Sequence, residues 1–154
     1  MHKQPDSVQL VEPASEIVRL HGLPHLLAER IVAALNDAEI PSFVRVVLLG
    51  LLASSATVSP VPLITLQNLI YRSSQILMSD RTIKRAIALL IEKYGIAVGA
   101  SRTDNHGYFF VRTPEQSQAA IRPLLAEIRS LARRCRILSP RSLYGRAVHG
   151  QEAL

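Results

Sequence analysis

The sequence predicts a mainly helical protein with one small β-hairpin. Three observations lead to this fold class. Apolar residues recur at helical spacing along most of the chain, glycine and proline interrupt that spacing at intervals, and only two short adjoining runs resemble strands. The 154 residues, 48% hydrophobic and 19% charged, suffice for one compact globular domain with an appendage.

The pattern of the first forty residues predicts a polar arm followed by two helices. In "SEIVRLHGLPHLLAERIVAALN" the helical periodicity is interrupted at Gly22 and Pro24, and proline is tolerated in the first turn of a helix but not in its interior. We therefore expect a loose arm over residues 1–13, a short helix at about 15–21 and a longer one at about 24–36.

An apolar stripe marks the second of these helices. Leu27, Ile31 and Leu35 fall on one of its faces. We predict that this segment packs on the domain and contributes to a homodimer interface; the alternative is a stripe that only completes the core of the monomer. Residues 1–40 carry a net charge of −3, which suits a protein partner better than DNA.

The segment that follows predicts two further helices. The first begins near Pro41–Ser42, and its apolar run "VRVVLLGLLA" is about half as long as a membrane span and contains Arg45. We therefore expect a core helix and no membrane association. "VSPVPLIT" can form at most a short edge strand because of its two prolines, and "TLQNLIYRSS" predicts a short helix.

The stretch "SDRTIKRAIALLIEKYG", residues 79–95, predicts an amphipathic helix with clear ends. Ser79 can cap it by accepting a backbone N–H, and Gly95 can end it in a left-handed conformation. The expected buried stripe consists of Ile83, Ala86, Ile87, Leu90 and Ile91. The residues on the other faces are Arg81, Lys84, Arg85 and Ala88.

A hairpin and a long helix complete the chain. "IAVGAS" and "GYFFVR" predict two strands joined by the polar tip "RTDNH", and we expect Tyr108 and Phe110 to share a face that packs on the preceding helix. The long helix follows Thr113–Pro114 and runs to about Leu138, and Pro123 inside this pattern indicates either a kink or a later start. Its apolar residues at helical spacing include Ile121, Leu125, Ile128, Leu131 and Ala132.

This order of elements is that of a winged helix-turn-helix. A helix fits the major groove of DNA, its N-terminal residues point at base edges, a preceding helix braces it, and a hairpin reaches the adjacent backbone or groove. We divide the chain into an N-terminal arm and helical extension (1–39), a winged helix-turn-helix domain with a long C-terminal helix (40–138), and a basic tail (139–154).

The run "DRTIKRAIALLIEKYGIAVGASRTDNHGYFFVRTPEQ" resembles the third helix and wing of biotin-repressor-type winged-helix domains, and especially small phage and prophage regulators of that class. The matching residues are Asp80, Arg81, Thr82, Ile83, Ile87, Leu90, Gly95, Ile96, Val98, Gly107, Tyr108, Phe109, Thr113, Pro114 and Glu115. The resemblance covers about residues 60–138 and implies a DNA-binding regulator or a replication-associated protein. Residues 1–40 are outside it.

The positive charge supports a nucleic-acid partner. Residues 41–154 carry +9, and 129–146 hold six arginines without any acid. We expect Arg81 and Arg85 to read guanine edges and Thr82 and Lys84 to meet phosphates. The predicted DNA-contact set is Ser79, Arg81, Thr82, Lys84, Arg85, Arg102, Asn105 and His106. A second basic patch could consist of Arg129, Arg133, Arg134, Arg136 and Arg141, where a solvated helix end is the alternative.

The sequence gives little indication of enzymatic activity. The five histidines have no cysteine or carboxylate at metal-ligand spacing, and no phosphate-binding glycine loop or G-x-S-x-G element is present. The lone Cys135 excludes an intrachain disulfide and suggests a reduced intracellular setting. We expect no enzyme activity, no cofactor and no metal, and a place in the cytoplasm of a bacterial or phage-infected cell, associated with the nucleoid.

Two other functions stay open beside regulation of transcription or replication through double-stranded DNA. Winged helices also serve as protein-docking modules, and a structural or assembly protein of a phage-like element is a third interpretation. An open basic face on Arg81, Lys84 and Arg85 would favour DNA. A face covered by residues 1–40 would favour docking.

Overall fold

The computed structural model describes residues 11–55, 59–102 and 106–141, without the side chains of 11–13 and 20. Within these ranges the chain forms six helices and one hairpin, which confirms the predicted mainly α class with a small β-hairpin. The elements are α1 (Val11–His21), α2 (His25–Asn36), α3 (Ser42–Ser55), α4 (Leu63–Ser74), α5 (Asp80–Glu92), β1 (Val98–Ser101), β2 (Gly107–Phe110) and α6 (Pro114–Leu138).

The chain divides into two compact units, and the division falls inside α6. Unit 1 ends at Ala120 and unit 2 begins at Ile121. Unit 1 thus contains the described part of the N-terminal extension together with the elements up to the start of α6, and the three-part division stays a prediction. Residues 1–10 and 142–154, which include most of the predicted arm and tail, are outside the described residues.

Helix α3 is the centre of unit 1. Its apolar sequence leaves Val44, Val47, Leu48 and Leu51 almost without solvent exposure, and α4, α5 and β2 all pack against it. Burial on several sides explains why "VRVVLLGLLA" shows no polar face, as the sequence predicts for a core helix. The helix begins at Ser42, directly after Pro41, where a missing N–H costs no helical hydrogen bond.

The N-terminal helices belong to the same core. Leu27 and Ile31 of α2 are buried in one cluster with α3 and α5, and Leu35 packs against its edge. The predicted packing of this segment on the domain is thus observed, and these side chains complete the core of the chain, whereas the homodimer stays a prediction. The Arg45 guanidinium adds polar contacts, donating to Leu35 O at 2.6 Å and to Asp37 O at 3.0 Å.

A third backbone segment, at Val61, pairs with the hairpin. Strands β1 and β2 pair antiparallel, with Val98 opposite Phe110, and Val61 forms an isolated bridge with Tyr108. The Val61 N–H donates to Tyr108 O at 2.7 Å, and the Tyr108 N–H donates to Val61 O at 2.9 Å. One bridge between two prolines is what the sequence allows, since Pro60 and Pro62 have no N–H to extend it.

Helix α6 has a defined start and no buried residue. The Gln116 N–H donates to Thr113 Oγ1 at 3.2 Å, which caps the N-terminus, and Pro114 follows as the first helical residue. Pro123 lies inside the helix, which begins at Pro114, so the proline does not mark a later start. Its apolar residues keep helical spacing, yet all large ones between Ile121 and Leu138 are exposed.

Candidate nucleic-acid interface

The first turn of α5 is held by a network of side-chain hydrogen bonds. The Thr82 N–H donates to Ser79 Oγ at 3.2 Å, and the two hydroxyls lie 2.9 Å apart. The amide of Gln67 on α4 donates to Asp80 Oδ1 at 2.7 Å and to Met78 O at 3.2 Å. The predicted Ser79 cap is confirmed, and both hydroxyls serve it. Gln67, which the sequence analysis did not single out, ties the helix start to α4.

The outward face of α5 carries the predicted basic residues. Arg81, Lys84 and Arg85 are exposed, and Ala88 lies among them one turn further along. Opposite them, Ile83, Ala86, Ile87 and Leu90 are buried. We call Arg81, Lys84 and Arg85 the α5 basic face. Neither ion pair found among the described residues includes any of the three.

Arg85 is partly positioned by an aromatic ring. Its guanidinium carbon lies 5.6 Å from the centroid of the Phe43 ring on α3, within the range of a cation–π contact. This contact restrains the arginine without neutralising its charge. Phe43 was not singled out by the sequence analysis, because residues 42 positions apart carry no local signal of contact.

One residue of the predicted buried stripe of α5 is exposed in the structure. Ile91 is 42% exposed, whereas Ile87 is 7% exposed. Residues 83, 87 and 90 already occupy the face that α3 covers, and Ile91 lies at the margin of that arc. The exposed side of α5 is therefore wider than the sequence predicts.

The C-terminal end of α5 contacts the N-terminal extension. Gly95 has a φ of 64° and ends the helix as predicted, with its N–H donating to Ile91 O and the Ile96 N–H donating to Leu90 O. Arg30 of α2 donates to Gly95 O at 2.9 Å, and the Tyr94 hydroxyl donates to Asp37 Oδ2 at 3.2 Å. These contacts of the extension lie at the end of α5 opposite to Arg81.

The wing, the hairpin β1–β2 with its tip at residues 102–106, follows the C-terminal end of α5, and its first strand begins at Val98. Burial, and then the negative charge of Asp80, raise the pKa of Tyr108, which places that phenol within electrostatic reach of the first turn of α5. Arg102 and His106 are exposed at the two ends of the tip. Asn105, also predicted to contact DNA, lies outside the described residues.

Close contacts at two positions of the wing require glycine. A Cβ on Gly107 would lie 2.3 Å from Val61 O, against which β2 pairs. A Cβ on Gly99 would lie 2.4 Å from the Phe109 ring, which covers that position across the hairpin. The first approach holds the tip end of β2 against Val61, just before α4, and the second is internal to the hairpin.

The aromatic residues of β2 are structural. Phe110 is buried in the main core and Tyr108 packs against it, so the two share a face as predicted, but the main helix contact of β2 is with α3 and not with the preceding helix α5. Phe109 is also buried, on the opposite face. Phe109 and Phe110 therefore provide no open ring on which a nucleic-acid base could stack, and Tyr108 is half-buried.

The predicted second basic patch lies in unit 2. Arg129, Arg133, Arg134, Arg136 and Arg141 are all exposed. Arg112, in unit 1, behaves differently: its Nε donates to His21 O at 3.3 Å, and burial lowers the pKa of its guanidinium. Arg112 therefore contributes to structure more than to a basic surface.

The part of the chain that the structure describes gives little indication of metal binding or of a membrane span. No three histidine, cysteine, aspartate or glutamate side chains there are grouped to hold a metal ion. None of the described helices is long and apolar enough to cross a membrane. Cys135 is a free, exposed thiol.

Comparisons with known proteins do not extend this description. No protein-family model matches the chain, and neither a curated protein nor a solved structure shows significant similarity to it.

Proposed function

We propose that this protein binds double-stranded DNA, with α5 in the major groove and the wing on the adjacent backbone, as a regulator of transcription or replication. The α5 basic face is the observation that carries the proposal. It offers three cations without an acidic partner among the described residues, on a helix whose first turn is fixed and whose other side is buried. The element order from α3 to α6, which is that of winged-helix domains, supports the same reading.

The shape of α5 suits a groove. Ala88 projects only a methyl group from the middle of the exposed side, so the helix axis can approach the base edges closely. Arg81 lies in the first turn, where side chains of recognition helices meet bases, and Arg85 is four residues further on, already restrained by Phe43. We assign base contact to these two arginines and phosphate contact to Lys84.

The wing suits the backbone. Arg102 and His106 are exposed donors at the two ends of the wing tip. Phosphate contact needs donors without a fixed base pattern. Replacing Arg102 by alanine should therefore weaken binding to specific and scrambled duplexes alike and lower the salt slope by about one unit.

The test begins with selection of bound sequences from random duplex DNA, followed by titration of the preferred and a scrambled duplex. Arg81→Ala should lose roughly 1–3 kcal/mol of binding to the preferred duplex and relax discrimination at one base pair. Lys93→Ala is the matched control, since it removes one positive charge about 18 Å away at the other end of the same helix. The proposal is wrong if Arg81→Ala and Arg85→Ala both bind the preferred duplex as the parent does.

A protein-docking function is the second candidate, and one observation favours it. The connection from α4 to α5 exposes Leu77 to 85% and Ile76 to 49%, while Ile64 and Tyr71 are exposed on α4. Apolar side chains at such exposure can anchor a protein partner. If docking is the function, Leu77→Ser should abolish partner binding while the α5 basic face variants retain it.

A further inference from the structure

Helix α6 presents a regular apolar stripe to solvent. All six members are exposed: Ile121, Leu124, Ile128, Leu131, Cys135 and Leu138. Their spacing alternates between three and four residues, which is the a/d pattern of a coiled coil. We call these six residues the α6 seam. A lone helix cannot bury its own seam, so this pattern requires a second helix.

We infer that the second helix is α6 of another copy of this chain, aligned parallel and in register. The a positions hold Ile121 and Ile128, and the d positions hold Leu124, Leu131 and Leu138. Isoleucine at a with leucine at d favours two parallel strands. Cys135 occupies the third a position, where it acts as a small apolar side chain.

The charges beside the seam permit this pairing. In a parallel dimer each g residue faces an e residue of the other copy. The g positions hold Glu127 and Arg134, whereas the e positions hold the uncharged Leu125 and Ala132. No like-charged pair therefore forms across the seam.

The remaining arginines lie on the outer side. Arg122, Arg129 and Arg136 take b positions and Arg133 an f position, so the basic patch stays open when the seam is covered. Pro123, at a c position, also lies away from the seam. Because these arginines lie away from the seam, they do not block the contact between two such basic helices.

An antiparallel pairing is the main competitor. It would place Glu127 of one copy opposite Arg134 of the other, but exposed ion pairs contribute little to stability. The distribution of isoleucine and leucine concerns the side chains that the dimer would bury, and it favours the parallel orientation. Because residues 121–141 hold six arginines and one glutamate, the two copies repel each other at low ionic strength. Association should therefore strengthen as salt is added.

Sedimentation equilibrium of the full chain without DNA tests the association. The parent should be a dimer at tens of micromolar, more strongly at about 0.5 M than at about 0.15 M salt. Ile128→Asp should weaken the dimer on the order of tenfold or more, because it buries a carboxylate in the seam. Ile137→Asp is the matched control: Ile137 is 65% exposed against 60% for Ile128, but it lies at a c position and its replacement should leave the dimer intact.

Two results would overturn the association. One is a parent that stays monomeric at both salt concentrations, and the other is an Ile128→Asp variant that dimerises as well as Ile137→Asp. Circular dichroism should show unchanged helix content for both variants, since neither side chain is buried. The assay contains no DNA, so its failure and the failure of the proposed DNA binding are distinguishable.

Disulfide formation tests the orientation. In the parallel alignment Cys135 faces Cys135 of the other copy, and diamide, which accepts the two electrons and two protons released by two thiols, should link them covalently. The variant Leu124→Cys combined with Cys135→Ser should be linked as well, because position 124 also faces itself. Failure of both to link, with linkage only when Leu124→Cys is made alongside the native Cys135, would show an antiparallel pair and overturn the parallel arrangement.

Discussion

The imidazole of His21, at the end of α1, has a buried Nδ1 atom without a hydrogen-bond partner among the described residues. Burial, and then the nearby positive charge of Arg112, lower the pKa of His21 from its ordinary value of 6.5. The native state therefore favours the neutral ring. A neutral tautomer with its proton on Nε2 leaves Nδ1 as an acceptor, which is less costly to bury than a charged donor.

This shift predicts a pH dependence of stability. Because the folded-state pKa lies below the unfolded one, the folded chain binds fewer protons, and the contribution is complete above pH 6.5 and is lost as the pH falls below it towards the folded-state pKa. His21→Gln, which cannot titrate, should lose less stability than the parent between about pH 7.5 and about pH 5.5. The difference should be less than about 1 kcal/mol because the ring is partly exposed. Urea unfolding at both pH values measures it, and equal losses would show that His21 is not the titrating group.

Arg112 shows why single residues are hard to interpret from sequence. By charge alone it resembles the arginines of α6, yet it donates to His21 O, 91 positions away, and to Phe110 O. The residues adjacent to Arg112 in the sequence give no indication of these two hydrogen bonds. Only the fold distinguishes an arginine that ties two segments together from one that is free to meet a phosphate.

At the scale of the element, α5 offers two isoleucines that should respond differently. Ile87 is 7% exposed and lies against the core, so Ile87→Ala should lower the free energy of unfolding by roughly 2–5 kcal/mol. Ile91, one turn away and 42% exposed, should lose no more than about 0.5–1 kcal/mol on the same substitution. Urea denaturation of both variants measures the contrast. Similar losses in the two variants would mean that the side of α5 that carries Ile91 is also covered, by a part of the chain or a partner outside the described residues.

The elements of this chain could be predicted where local chemistry defines them. Ser79 as a cap and Gly95 as a stop depend on the helix's own backbone, and both were predictable. Ile91 was not, because a stripe of apolar residues shows which face is buried but not how wide the covering element is. Val61 was expected only as part of an edge strand, since its pairing with Tyr108 closes a loop of nearly fifty residues.

The candidate site divides in the same way. The α5 basic face follows from helical geometry and could be read from the sequence. Phe43 beneath Arg85 and Gln67 against Asp80 could not, because each joins residues from different helices. The stripe on α2 illustrates the general difficulty: periodicity identified Ile31 as apolar and facing inward, but not whether the partner was this chain or a second copy.

At the scale of the whole molecule, charge and packing follow different boundaries. Residues 1–40 carry −3 and the rest +9, which suggests two parts, yet the core joins them without interruption. Arg30 and Asp37 contact the C-terminal end of α5 through Gly95 and Tyr94. The acidic segment therefore braces the proposed recognition helix from the end that faces away from Arg81.

This arrangement predicts that a 40–154 fragment does not fold on its own. Deletion of residues 1–39 would expose the side of the core that Leu23, Leu27 and Ile31 cover, and would remove the Arg30 donor from Gly95. Each large buried side chain lost costs about 2–5 kcal/mol, so the loss for three, about 6–15 kcal/mol, is as large as the roughly 5–15 kcal/mol available to a typical domain. We expect the fragment to show no cooperative thermal transition and collapsed amide dispersion by NMR. A peptide of residues 11–38 added to it should restore part of the dispersion, whereas a peptide with Ile31→Asp should not. A fragment that melts cooperatively near the temperature of the full chain would show that the extension is a separate appendage after all.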